Sequence, residues 1–488
     1  MNGSIIKYIL GYILRLEGIL LMIPSITAAV YRETEGFYYL GVGIFCILLG
    51  FLLSFKKPAN SVFYLKEGCV ATALSWIFLS IFGALPFFLS REIPSFTDAL
   101  FETISGFTTT GASILSDVES LSHASLLWRS FTHWIGGMGV LVFLLAIVPM
   151  TGGSHMNLMR AESPGPSVGK LVPKVKHTAR ILYLIYLGMT IIEFILLLFG
   201  KMSVFDALNT SFGTAGTGGF GFRNDSFASF SPYIQWVVTI FMILFGVNFN
   251  AYYLLLFGGF KKAFGIEEVR YYFIIILIST GIISFQLISN SGETFKSITD
   301  AAFQVASIIT TTGFATTDFN LWPQTSKTIL VILMFVGACA GSTGGGMKVS
   351  RFIILIKSLI KELNSYIHPK SISKIKMEGK VVEHEVVRAT NVYVITFVLL
   401  FTASVLAISI EGKDLVTNFT AVAATINNIG PGLEAVGPTQ NFGGFTDFSK
   451  FILMFDMLAG RLELFPLLIL FHPRLWKNMF IRHKRQKK

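Results

Sequence analysis

One phrase, used four times at one spacing, limits what this chain can fold into more than any other feature. Asp300-Ala301-Ala302-Phe303 begins thirteen residues before the glycine of Thr310-Thr311-Thr312-Gly313, and Asp98-Ala99-Leu100-Phe101 stands at the same distance before the glycine of Thr108-Thr109-Thr110-Gly111. Asp206-Ala207 precedes Gly219 by thirteen residues, ending in Thr217-Gly218-Gly219-Phe220-Gly221. Thr417-Asn418-Phe419 precedes Gly430 by thirteen, with Asn427-Asn428-Ile429 in place of the threonines. The Asp or Thr is suited to cap a helix start, about twelve residues of helix run only about 18 Å, and the glycine lets the backbone adopt conformations other residues avoid. Each copy therefore reads as a half-membrane helix followed by an extended glycine loop.

The setting is a membrane. The 488 residues are 53% hydrophobic and only 14% charged, too few charges to cover a soluble surface. Ten apolar segments qualify as spanning helices: 5–30, 37–54, 66–90, 124–150, 179–200, 232–258, 271–290, 326–358, 387–410 and 448–471. The first pair, in 1–60, carries no copy of the phrase. The other eight form four units of helix, pore loop and helix (M1-P-M2), at 61–155, 156–265, 266–365 and 366–488. The expected fold is an all-α polytopic membrane protein with these repeats around a pseudo-fourfold pore, plus two extra N-terminal helices. Internal symmetry in a membrane chain places a pathway where the repeats meet, and non-helical backbone at membrane depth survives only where protein surrounds it or water lines it. A ring of four such loops presents carbonyl oxygens that can replace a cation's water shell, and the negative ends of the short helices point the same way.

The formal charge of +11 does not indicate nucleic acid, because the basic residues follow topology. The stretches assigned outside (31–36, 91–123, 201–230, 291–322 and 411–447) hold six Lys and Arg against sixteen Asp and Glu. Most other basic residues lie in short loops and at both ends, which places both termini in the cytoplasm. Cys46, Cys69 and Cys339 lie in apolar segments without metal-ligand spacing and read as small core residues. The segment from Ile5 to Val30 is too long for a signal-peptide core and is expected to remain in the protein. The connections 151–178 and 359–386 are too small for independent domains.

Five glycines in 336–348 interrupt the second helix of the third unit, each at about 1 kcal/mol relative to Ala. Gly341, Ser342, Thr343, Gly344, Gly345 and Gly346 read as a gate just below the ring; the plainer alternative is close helix packing through small residues. Arg461 falls near the middle of the last spanning segment, where it can act as an electrostatic barrier, anchor the Gly-rich loop, or pair structurally with a carboxylate or carbonyls. Arg129 with His133, and Glu193, read as structural polar contacts. Arg15 and Glu17 point to different faces of the first helix and need separate partners.

Gly216-Thr217-Gly218-Gly219-Phe220-Gly221 matches GxGxxG, but no strand–helix unit surrounds it, so nucleotide binding is declined. Asn209-Thr210-Ser211 fits a glycosylation acceptor but sits in a pore helix. No Walker A, HExxH, GxSxG or Cys/His cluster supports an enzyme. A membrane-embedded enzyme or receptor would need clustered carboxylates or histidines within its helices, and only His133 lies clearly in one. A Na+- or H+-coupled or weakly selective cation symporter remains the nearest rival.

At the four glycine phrases, the Gly-Ser-Thr-Gly-Gly-Gly stretch and the Met-Leu-Ala-Gly-Arg-Leu-Glu segment, the chain resembles the Trk/Ktr/HKT superfamily of potassium transporters from end to end. The extra helix pair is similar to the TrkH branch. The resemblance implies an inner-membrane homodimer in which each protomer has its own pore. It implies a K+ selectivity filter at Thr109, Thr110, Gly111, Gly218, Gly219, Thr311, Thr312, Gly313, Asn428, Ile429 and Gly430, with K+ the transported ion and no cofactor in this chain. Sodium-favouring members tend to carry Ser in the first loop, where this chain has Gly111, so Gly111→Ser is expected to admit Na+. The Gly-rich stretch and Arg461 correspond to the family's gating loop and the arginine beneath its filter. The implied partner is a cytosolic ring of nucleotide-binding regulatory subunits (TrkA-like), beside membrane lipid and without nucleic acid. One departure is that Asp225 follows Gly219 by six residues, where Asp318 follows Gly313 by five.

Overall fold

The structure, a computed structural model, describes residues 1–58, 64–139, 175–370 and 374–475. Among these the only strands form a short antiparallel hairpin that pairs Lys376 with Val381 and Met377 with Lys380; the rest is helices and their connections. Six helices among the described residues are long and apolar enough to cross a membrane: Gly3–Tyr31, Gly36–Ser54, Leu65–Leu89, Arg180–Phe199, Glu267–Ser291 and His384–Glu411. They are not equally inside. The apolar window of Leu65–Leu89 is 61% buried, against 22% for those of Arg180–Phe199 and His384–Glu411, so the outward faces of the latter two need an apolar surrounding.

Of the other four expected segments, three are broken and one is described only in its first part. The 326–358 segment parts into Gln324–Val336 and Val349–Ile367, as its glycines predict. Two further segments differ from the continuous helices expected: 232–258 bends by 90° between Pro232–Phe245 and Phe249–Leu256, and 448–471 stops as a long helix at Arg461. The helix His123–Gly137 is equally short. Residues 140–150 of its expected segment, 151–174 of the following connection and the tail from 476 lie outside the described residues. Close approach accounts for two of the short helices. A methyl group on Gly136 would lie 1.9 Å from the Phe107 carbonyl oxygen, and one on Gly460 would lie 1.9 Å from that of Ile426. Each carbonyl belongs to the residue four before a repeated glycine, so these helices end where they meet a short helix's last turn.

The N-terminal pair packs through glycines seven residues apart, as small-residue faces allow. A Cβ on Gly11 would meet Gly50 O at 2.8 Å, and one on Gly18 would meet Gly43 O at 2.4 Å. Arg15 stacks its guanidinium over the Phe51 ring at 3.8 Å, while Glu17 is buried without a hydrogen-bond partner among the described residues.

Four short helices carry the repeated phrase: Phe96–Phe107, Val204–Gly216, Thr294–Ile309 and Leu415–Ile426. The repeated Asp is not their cap. Ser95 Oγ accepts the Asp98 amide at 3.3 Å, Ser203 Oγ that of Asp206 at 3.0 Å, and Asp414 Oδ1 that of Thr417 at 2.9 Å. Asp98 and Asp206 thus stand in the first turn, where a carboxylate complements the helix dipole. Asp300 lies deeper, because its helix begins at Thr294, and it accepts from Thr316 Oγ1 at 2.8 Å beyond the glycine. The hydroxyl and amide of Thr417 hold the Asp414 carboxyl below the usual carboxylate range.

Candidate functional site

The four short helices end in one closure. The residue before each repeated glycine donates its amide to the carbonyl five residues back: Thr110 to Ser105 and Gly218 to Gly213 at 2.9 Å, Thr312 to Ser307 and Ile429 to Ala424 at 2.8 Å. The preceding residue donates three residues back in every case, at 3.0–3.1 Å. This is the Schellman pattern, which requires a left-handed residue after the cap. Thr109, Thr217, Thr311 and Asn428 supply it, with φ of 54°, 53°, 59° and 56°. Asparagine tolerates that conformation, whereas each threonine there costs roughly 1–2 kcal/mol, strain that the surroundings must hold. Gly111, Gly219, Gly313 and Gly430 follow, again with positive φ of 76° to 99°. The residue between is not positive, so the sign of φ alternates through each loop.

These closures meet in a cycle. A methyl on Gly111 would lie 2.1 Å from Gly218 O, one on Gly219 1.9 Å from Thr312 O, one on Gly313 2.1 Å from Ile429 O, and one on Gly430 2.7 Å from Thr110 O. Each glycine therefore faces the carbonyl that precedes the next glycine, and the fourth contact returns to the first loop. All four glycines line a cavity of about 220 Å³ on one side of the ring. Side chains brace it: Asn428 Nδ2 donates to Thr110 Oγ1 and to Met457 O, both at 2.9 Å, and Lys450 pairs with Asp98 at 2.5 Å. The longer second loop is latched to the first through Asn224, which accepts from the Val118 amide and donates to Asp117, both at 2.8 Å.

The Gly-rich stretch lies against the other side. The Gly345 amide donates to Thr311 Oγ1 at 2.6 Å, and methyls on Gly344 and Gly345 would lie 2.8 Å from Thr310 O and 2.4 Å from Asn427 O. Backbone bonds tie the stretch to the break in the 232–258 segment, from Cys339 N to Gly246 O and from Phe249 N to Gly341 O, both at 3.0 Å. Arg461 is the last residue of its helix rather than a mid-helix charge, and the chain turns there through left-handed Glu463 and Leu464. Its guanidinium donates to Thr343 O at 2.9 Å, to Gly137 O at 2.8 Å and to Gly136 O, joining the Gly-rich stretch to the end of the His123–Gly137 helix.

The remaining intramembrane charges support the loops. Arg129 pairs with Glu102 at 2.8 Å and donates to Gly221 O at 2.9 Å. His133 Nε2 accepts the Phe220 amide at 3.2 Å, so Nδ1 carries the proton and donates to Gly106 O at 2.7 Å, joining the end of the first short helix to the second loop. Glu193 is buried beside Thr214.

Four charged residues near the Gly-rich stretch are given no role by the sequence alone. Lys348 Nζ donates to Gly344 O, Glu463 pairs with Arg351, and Glu268 accepts from the amides of Ala340 at 2.7 Å and Ser350 at 3.0 Å. The available signal was charge beside an apolar run, which for Glu268 reads equally well as an acidic residue opening a helix. The helix ends beside Gly136 and Gly460 are missed likewise, since one glycine inside a long apolar run does not identify a helix end.

Comparison with known proteins agrees along the whole chain. Residues 37–480 match the TrkH family, described as a cation transport protein. The Trk system potassium uptake protein TrkH of Escherichia coli is 36% identical, the match covering 98% of this chain and 100% of that protein. The protein of the same name from Halomonas elongata is 33% identical over 96% of this chain and 100% of its own length. The crystal structure of the potassium transporter TrkH from Vibrio parahaemolyticus superposes with a TM-score of 0.88 at 32% identity, covering 98% of this chain and 100% of that one. With relatives this similar over their full lengths, the chain belongs to the TrkH family of cation transport proteins.

Proposed function

We propose that this protein takes up potassium across a bacterial inner membrane through a selectivity filter of backbone carbonyls. The filter comprises Thr109, Thr110, Gly111, Gly218, Gly219, Thr311, Thr312, Gly313, Asn428, Ile429 and Gly430. The observation that carries this reading is the closed cycle in which each glycine faces the next loop's carbonyl. Such a ring offers oxygens in place of a cation's water shell, with binding weak enough for release. The relatives' names, which place them in potassium uptake, point the same way. The membrane potential drives entry, at about 2.3 kcal/mol per charge per 100 mV. On this reading the chain is four M1-P-M2 units around the pore, with both termini cytoplasmic. It works as a homodimer with a cytosolic ring of nucleotide-binding subunits and is not an enzyme.

The Gly-rich stretch, Gly341 to Gly346, serves as the gate under the filter, with Arg461 holding it shut. Gly345→Ala tests this part. Its methyl would lie 2.4 Å from Asn427 O, pushing the stretch off the ring while leaving the ring glycines unchanged. K+ flux is expected to rise at an unaltered K+/Na+ ratio, and wild-type flux in this variant would remove the gate.

The function itself is tested by cation flux into liposomes holding the purified protein. K+ and Rb+ flux that follows an imposed potential and needs no second gradient is the expected result. Uptake only with a Na+ or proton gradient would move the protein to coupled symport.

A further inference from the structure

We infer that Glu268 is the positioning residue that clasps the Gly-rich stretch closed: one carboxylate oxygen holds both ends of the segment from a neighbouring helix. The inference rests on reading that stretch as the gate. Glu268 Oε1 accepts the Ala340 amide at 2.7 Å and the Ser350 amide at 3.0 Å. These amides lie ten residues apart and enclose the glycines and Lys348. Two donors on one atom fix the two ends relative to each other as well as to the Glu267–Ser291 helix. Hydrogen bonds weaken steeply beyond their ordinary length and angle, so carrying the stretch away from the ring breaks at least one of them.

An acidic residue in a helix's first turn commonly does no more than complement the dipole. The adjacent Glu267 shows what distinguishes Glu268. Glu267 is directed to Lys357, on the helix after the Gly-rich stretch, at 2.5 Å, whereas the Glu268 residue is only 5% exposed and directed at the stretch itself. Together they rivet one helix to both sides of the Gly-rich segment's boundary at Val349, which itself donates to Ala338 O at 3.1 Å. Arg461 grips the middle of the stretch at Thr343, and Glu268 grips its ends. These two side chains thus hold the stretch at three points, Ala340, Thr343 and Ser350, in addition to the Gly345–Thr311 and Phe249–Gly341 bonds, and of the two only Glu268 is an anion.

The chain carries its own reporter. Cys339, next to the clasped Ala340, is fully buried. In a Cys46→Ala, Cys69→Ala background, labelling of Cys339 by a water-soluble maleimide reads opening of the stretch independently of ion flux. Glu268→Ala is expected to speed labelling and to raise K+ flux by roughly tenfold each, the effect of about 1.4 kcal/mol on a closed–open equilibrium, with K+/Na+ selectivity unchanged. Glu268→Gln removes the same negative charge from beside the thiol but keeps an acceptor in place, so it is expected to fall between wild type and Glu268→Ala. Equal labelling of wild type and Glu268→Ala, or of the Ala and Gln variants, overturns the clasp. Should Glu268→Ala fail to accumulate, Glu268→Gln against wild type decides, with unchanged labelling again overturning it. The two readings separate cleanly: flux that ignores both Gly345→Ala and Glu268→Ala defeats the gate, whereas flux that responds to Gly345→Ala alone defeats the clasp.

Discussion

Gly219→Ala is expected to reduce K+ flux below roughly a hundredth of wild type, the effect of about 2.7 kcal/mol, with the protein still present in the membrane. The methyl would lie 1.9 Å from Thr312 O and 3.2 Å from the Gly313 carbonyl carbon, in a residue whose φ is 81°. Left-handed backbone alone costs a residue with a Cβ roughly 1–2 kcal/mol. The overlap is worse, because it is with backbone, and the oxygen that must retreat is one of those proposed to replace the ion's water. Displacement in the second loop also propagates, since the third loop's glycine is set against the fourth's carbonyl. The same geometry ranks the four positions. Gly111 and Gly313 have 2.1 Å of separation and Gly430 has 2.7 Å, so Gly430→Ala is the mildest. Gly111→Ser, expected from sequence to admit Na+, must also displace Gly218 O. Gly281→Ala is the control, with nothing within 4 Å of its added methyl. Flux assays across this series check the order, and a Gly219→Ala protein with full, selective flux would take the glycine ring out of the pathway.

The ring was readable because its spacing is dictated locally. A Schellman closure followed by a left-handed glycine needs a fixed number of residues after the helix, and four copies of one length reveal it. The third unit's break was readable because five glycines fall together. The ends at Gly136 and Gly460 were not, because they follow from contact with Phe107 and Ile426 carbonyls far away in sequence. The placement of Arg461 failed for the same reason. A continuous helix puts it mid-span, and nothing in the identity of Leu464 announces a φ of 64°. Even the two identical Thr-Thr-Thr-Gly phrases differ in role. Thr311 Oγ1 accepts the Gly345 amide, whereas Thr109 Oγ1 has no hydrogen-bond partner among the described residues. Only the third unit's Gly-rich stretch creates that difference, and no property of the phrase itself encodes it.

Arg461→Ala is expected to raise K+ flux by roughly tenfold or more, because hydrogen bonds from a charged group contribute about 1.5–3 kcal/mol each and the guanidinium makes three to backbone carbonyls. Thr343 belongs to the Gly-rich stretch and Gly136 and Gly137 to the end of another helix, so losing the side chain uncouples the two. The same arginine places a positive charge beneath the ring, and its removal also lowers a barrier to cations. Arg461→Lys separates these effects. Lysine keeps the charge but lacks the planar fork that reaches divergent carbonyls at once. Flux in Arg461→Lys close to that of Arg461→Ala assigns the effect to the clamp, and flux close to wild type assigns it to the charge. The three carbonyls span two separate segments, which a single ammonium cannot bridge in the same way, so Arg461→Lys is expected to follow Arg461→Ala in flux while retaining K+ over Na+. Wild-type flux in Arg461→Ala would exclude both roles.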